Sequence, residues 1–190
     1  FSPAPTLVAM SNDPRLSPGM REQLELGYVF GGLSTFGQRP FLTDPEQLDE
    51  WSPDVAIVGA PLDITTTNRA GARFGPRAIR ALAYEAGTYH IDLDLEIFDH
   101  LDVVDFGDAH CPHGDAAAGH ANLRSRVAEV ASRGTVPIIL GGDHPITTPA
   151  PTAVADPPRH GNIGIAPFDA HPHNADLHAA NPRTHGPPRR

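Results

Sequence analysis

The chain has 190 residues, enough for one domain with a buried core. Its net charge of −9 argues against a nucleic-acid partner, which would require a basic stripe, and no apolar run is long enough to span a membrane. The single cysteine, Cys111, rules out an internal disulfide framework and fits a reducing, cytoplasmic compartment; the N-terminus, beginning at Phe1 without an initiator Met, shows no basic or apolar secretory signal.

Residues 1–50 are rich in Pro, Gly and polar residues and have weak periodicity. They read as an N-terminal arm with a short helix near Arg21–Leu26. A regular alternation then begins. Asp54 to Gly59 is a short apolar, β-branched run, which predicts a buried strand. A polar loop follows, and Gly75-Pro76 opens a helix through Leu82, with Pro76 suited to the first turn. A second strand is predicted over Leu101–Phe106. A helix over 116–133 carries Leu123, Val127, Val130 and Ala131 at helical spacing. Val136–Leu140 reads as a third strand and Asn162–Ala166 as a fourth. Strands alternating with helices imply an α/β fold, with a parallel sheet covered by helices on both faces.

In such sheets ligands bind beyond the carboxyl ends of the strands. Pro61-Leu62-Asp63 follows the first predicted strand, and Gly107-Asp108-Ala109-His110 the second. Gly141-Gly142-Asp143-His144 follows the third, and Asp169-Ala170-His171-Pro172-His173 the fourth. Asp or His stands at every strand end, which points to one polar, metal-capable site along one sheet edge. Alternation along an extended chain places Asp169, His171 and His173 on one face. Carboxylate and imidazole donors suit Mn²⁺, Zn²⁺, Fe²⁺ or Ni²⁺, and no thiolate takes part. The bland alternative is that the late histidines, six between His144 and His185, are solvated surface. Two smaller candidates are weighed beside this site. His110-Cys111-Pro112-His113 is too compact to supply a tetrahedral zinc set by itself. Arg69, Arg73, Arg77 and Arg80 could form an anion site but are read as loop and helix-surface residues.

The segments Gly141-Gly142-Asp143-His144 and Phe168-Asp169-Ala170-His171 resemble two of the three signature motifs of the ureohydrolases: arginase, agmatinase, guanidinobutyrase and their relatives. The loop Gly59-Ala60-Pro61-Leu62-Asp63, with the run from Arg69 to Arg80, resembles the agmatinase branch. Asp105-x-Gly107-Asp108 and Thr184-His185-Gly186-Pro187 also match family segments. The resemblance covers about residues 52–190, so residues 51–190 are taken as the N-terminal part of the ureohydrolase domain. It implies a three-layer α/β/α fold, incomplete at the C-terminus, and a homo-oligomer when full length. It also implies two Mn²⁺ ions, with Ni²⁺ used by some relatives. His144 would bind the first ion, Asp169 would bridge both, His171 would bind the second, and His185 would shuttle a proton. The implied reaction releases urea from a small cationic guanidino substrate, agmatine giving putrescine; guanidinobutyrate, guanidinopropionate and guanidine are the alternatives.

The chain also departs from the family pattern. His173 stands where the family has an Asp ligand, and Pro145 where it has a small polar residue. Pro149 and Pro151 fall in an expected helix, where interior prolines cost about 3 kcal/mol each. Pro167 falls within an expected strand. The third signature, an Asp-x-Asp, has no counterpart up to Arg190. The 190 residues as written are therefore expected to release little urea, and a non-catalytic remnant that keeps the fold and weak metal binding is the alternative reading.

Overall fold

The structure is a computed structural model, and it describes residues 12–25, 31–66, 68–85, 87–155, 163–166 and 168. In chain order its elements are α1 (Pro18–Glu25), α2 (Pro45–Trp51), β1 (Val55–Ala60), α3 (Gly75–Leu82), β2 (Tyr89–His90), β3 (Leu95–Glu96), β4 (Val103–Asp108), α4 (Ala116–Ala131), β5 (Val136–Gly141) and α5 (Pro149–Ala155). The strands β1, β4 and β5 form a parallel sheet in the order β4-β1-β5. Val55 lies opposite Val103 on one side and Val136 on the other. The remaining two strands make a small antiparallel hairpin, which the sequence did not suggest.

β1 is central because all six of its residues are apolar or Gly and can be buried on both faces. Its alternation divides the core. Ala56, Val58 and Ala60 face a layer made by α4, α5 and the elements before β1. Leu16, Met20, Leu24, Leu48 and Trp51 from those early elements join Leu123, Val127 and Val130 there. Thus the described part of the first 50 residues contributes to the core. Val55 and Ile57 face the other side, with Val103, Leu140, Phe36 and Phe98. α3 lies on that second side, where its Arg80 bonds Asp105, the residue opposite Ile57, so the predicted helices lie on both faces.

Local chemistry fixes the helix ends. Pro45 opens α2, and the Gln47 side chain accepts from the Asp44 N–H at 3.0 Å. Asp115 caps α4 by accepting from the Ala118 N–H at 2.9 Å. α5 begins at Pro149 with Pro151 two residues later, so both prolines lie in its first turn. There the N–H groups have no intrahelical partner, so the expected penalty does not arise.

Two expectations are corrected. Ile163–Ala166 is not a strand. A single extended segment needs a neighbour to form a ladder, and none of the described strands pairs with it. Arg80 is not a helix-surface residue. It is 8% exposed and reaches from α3 into β4. Its Nε donates to Asp105 Oδ2 at 2.7 Å and its Nη2 to Asp105 Oδ1 at 2.9 Å. Its Nη1 donates to Asp108 Oδ1 at 2.5 Å, and its Nη2 also reaches the Gly107 carbonyl at 3.2 Å. Burial opposes the guanidinium charge, but hydrogen bonds and attraction from the two carboxylates overcome it and raise the Arg80 pKa. Gly107 makes the arrangement possible. It adopts φ 69°, and the β1–β4 register slips there, so that Asp108 comes to pair opposite Gly59.

Two outcomes follow for stability. Arg80→Ala leaves the fully buried Asp105 carboxylate without its cation and is expected to cost about 3–5 kcal/mol in a urea denaturation series. Leu123→Ala, at a fully buried position of α4, is expected to cost about 2–5 kcal/mol in the same assay, with the slope unchanged.

Candidate functional site

The carboxyl ends of β1, β4 and β5 lie side by side, and their loops are tied to one another. After β1, Leu62 accepts from the Asp143 N–H at 2.9 Å. The loop then turns inward at Asp63, which is 5% exposed. Asp63 Oδ2 accepts from the Gly71 N–H at 2.6 Å and from Arg73 Nε at 3.2 Å, and its Oδ1 accepts from the Thr66 hydroxyl at 2.9 Å. The Gly71 N–H, followed by Thr66 and Arg73, outweighs burial and holds this carboxyl below the usual range. Asp63 is therefore the latch of the loop that leads into α3.

After β4, Ala109 donates its N–H to the Gly59 carbonyl at 2.8 Å. Cys111 comes next and is half-buried. Burial first, and then the charges of Asp108 and Asp143, push its thiol up to about 11, which leaves it protonated and a poor ligand or nucleophile. His113 Nδ1 lies 3.0 Å from Arg73 Nη1. A guanidinium can only donate, so Nδ1 is the acceptor in this contact. The candidate zinc tetrad His110–His113 is not assembled. Among the described residues no group of three or more His, Cys, Asp or Glu is placed to hold a metal ion.

After β5 the chain packs tightly against the end of β1 and the loop that follows it. A Cβ on Gly142 would collide with the carbonyl oxygens of Ala60 and Leu62 and lie 2.8 Å from the Leu62 nitrogen, so only glycine fits. Asp143 is 8% exposed, and its Oδ2 accepts both the Thr65 N–H at 2.8 Å and the Thr65 hydroxyl at 2.7 Å. His144 follows and opens the turn His144–Thr147, partly buried.

Among the sequence-derived ligands, the structure places His144 at the expected edge. Asp169, His171, His173 and His185 lie outside the described residues, and so does the expected convergence of His144 with Asp169. Sequence reasoning missed the Asp63 latch and the Thr65–Asp143 contact. Both aspartates stood at strand ends, but their partners lie up to 78 residues away, and no local pattern marks them.

The profile of the arginase family matches residues 53–190. The chain is 37% identical to guanidinobutyrase of Pseudomonas aeruginosa over 142 residues, covering 75% of this chain and 43% of that protein. It is 38% identical to the mitochondrial agmatinase of Gallus gallus over 157 residues, covering 83% of this chain and 44% of that protein. It therefore spans less than half the length of either relative. The crystal structure of a formiminoglutamase variant from Trypanosoma cruzi with Mn²⁺ has a TM-score of 0.50, with 31% identity, over 56% of this chain and 36% of that one. A family match over most of the chain agrees with the parallel β4-β1-β5 sheet and the Gly-Gly-Asp-His turn at its carboxyl edge, and the chain belongs to the arginase family.

Proposed function

We propose that the protein containing this chain is a binuclear-metal amidinohydrolase that releases urea from a guanidino compound. The observation that carries the reading is His144, at the carboxyl end of β5, in a turn clamped to the loop after β1. The donor set fits the ions. His144, Asp169, His171 and His173 offer imidazole nitrogen and carboxylate oxygen without thiolate, which suits Mn²⁺ and admits Ni²⁺. The guanidinobutyrase and agmatinase relatives support a guanidino substrate.

In this reading His144 would hold one ion and His171 the other, with Asp169 as a ligand shared between them. His173 joins the set in place of a carboxylate. When bound, the ions supply a water acidified toward neutral pH. The guanidinium carbon is stabilised by resonance and is a poor electrophile, so attack on it requires that activation. His185 then passes a proton to the departing amine. With agmatine, water addition and loss of the amine give putrescine and urea. Guanidinobutyrate would give urea and the corresponding amino acid by the same steps.

The test is urea release from agmatine and from guanidinobutyrate by the full protein with Mn²⁺ supplied. Turnover of about 1–10³ s⁻¹ on one of them is expected. Protein that binds Mn²⁺ but releases no urea from any guanidino compound supports the remnant instead. His144→Ala is expected to lower turnover by roughly 10²-fold or more.

His173→Asp restores a negative donor beside Asp169 and is expected to tighten Mn²⁺ binding, because a carboxylate adds charge attraction. Calorimetric titration reads this directly, and weaker binding in the variant would remove His173 from the ligand set.

A further inference from the structure

Asp143 stands at the N-cap position of the turn His144–Thr147, with extended backbone at φ −77° and ψ 165°. An Asp there ordinarily turns its side chain forward to accept from the N–H groups of its own helical turn. Here it makes no such cap. Among the described residues, its carboxylate accepts instead from Thr65, 78 residues earlier, and both bonds fall on the same oxygen. Its own N–H is held by the Leu62 carbonyl at 2.9 Å. Directly before it, Gly142 is packed against Ala60 and Leu62 so closely that no side chain fits. The residue preceding His144 is thus fixed through backbone and side chain alike, and the anchors lie at the end of β1 and in the loop after it.

Thr65 is itself held within a latched segment. Two residues before it Asp63 gathers Gly71, Thr66 and Arg73, so the loop cannot yield without breaking that latch. Both donors of the clamp are neutral, an N–H and a hydroxyl of Thr65, so the geometry of the accepting oxygen, which an amide can reproduce, is what holds the turn.

We propose that Asp143 is a positioning residue for the metal ligand His144, acting through its clamp on Thr65. The proposal rests on the amidinohydrolase reading above. The clamp fixes the backbone from which the His144 imidazole projects, and its loss lets the turn open while the core stays intact.

The experiment is calorimetric Mn²⁺ titration of the full protein, with thermal melting of the metal-free form alongside. Asp143→Ala is expected to weaken Mn²⁺ binding by about 10–100-fold, the range for a residue that orients a metal ligand. Asp143→Asn keeps an oxygen that can accept from Thr65 and is expected to stay within about threefold of the parent. Thr65→Val removes one of the two bonds and is expected to fall between them; it is the milder variant if Asp143→Ala does not fold. Asp143→Ala or, failing that, Thr65→Val binding Mn²⁺ as the parent does would overturn the proposal. Asp143→Asn falling as far as Asp143→Ala would also overturn it, since rescue by the amide is what positioning requires. A parent protein that binds no Mn²⁺ would overturn the metal reading itself, and the proposal with it, so the two failures are distinct.

Discussion

The ion network of Arg80 with Asp105 and Asp108 is the constraint on which the rest of the described fold depends. Asp105 is fully buried, and its carboxylate also accepts from the N–H groups of Phe36 at 2.8 Å and Gly107 at 3.0 Å. One carboxylate therefore ties the segment before β1, the helix α3 and the bulge of β4 together. A buried charge of this kind is costly unless each lone pair is met, and here the partners come from three separate stretches of chain. α3 cannot be displaced without exposing that charge. Because α3 is fixed, so is the loop that precedes it, and with it Asp63, Arg73 and the rim of the carboxyl edge.

The same hierarchy explains what could be read from the chain alone. β1, β4 and β5 were legible within two residues, because a continuous β-branched run has few other places to go. α4 was legible because Leu123, Val127 and Val130 repeat at helical spacing. The strand expected at Asn162–Ala166 shows the limit of that logic. Ile163 and Ile165 satisfy the pattern, but a strand is made by its neighbours, and no described neighbour is offered.

For the candidate site, the position of His144 was legible and the means of holding it were not. Strand-end Asp and His residues announce a polar edge. Which aspartates support the others depends on contacts such as Thr65 to Asp143, across 78 residues, that have no local signature. Arg80 was misread for a related reason. On a helix with exposed neighbours, such as Arg77 and Ile79, an arginine looks solvated until the opposing strand is known to carry two carboxylates. Pro149 and Pro151 were misjudged by register alone, since a shift of a few residues separates a helix interior from its first turn.

The placement of β1 between β4 and β5 also has a kinetic side. Its partners come late. Asp54 meets Asp102 across 48 residues, and Pro53 meets Thr135 across 82. During synthesis the most apolar strand emerges first and must wait for its second neighbour. At ribosomal rates of about 5–20 residues per second that wait lasts roughly 4–16 s. Long-range parallel pairing is slow for the same entropic reason in the refolding chain. For those seconds the nascent protein carries its future core as an open strand, which makes the order of translation, and any chaperone that shields residues 55–60, part of how this fold is reached.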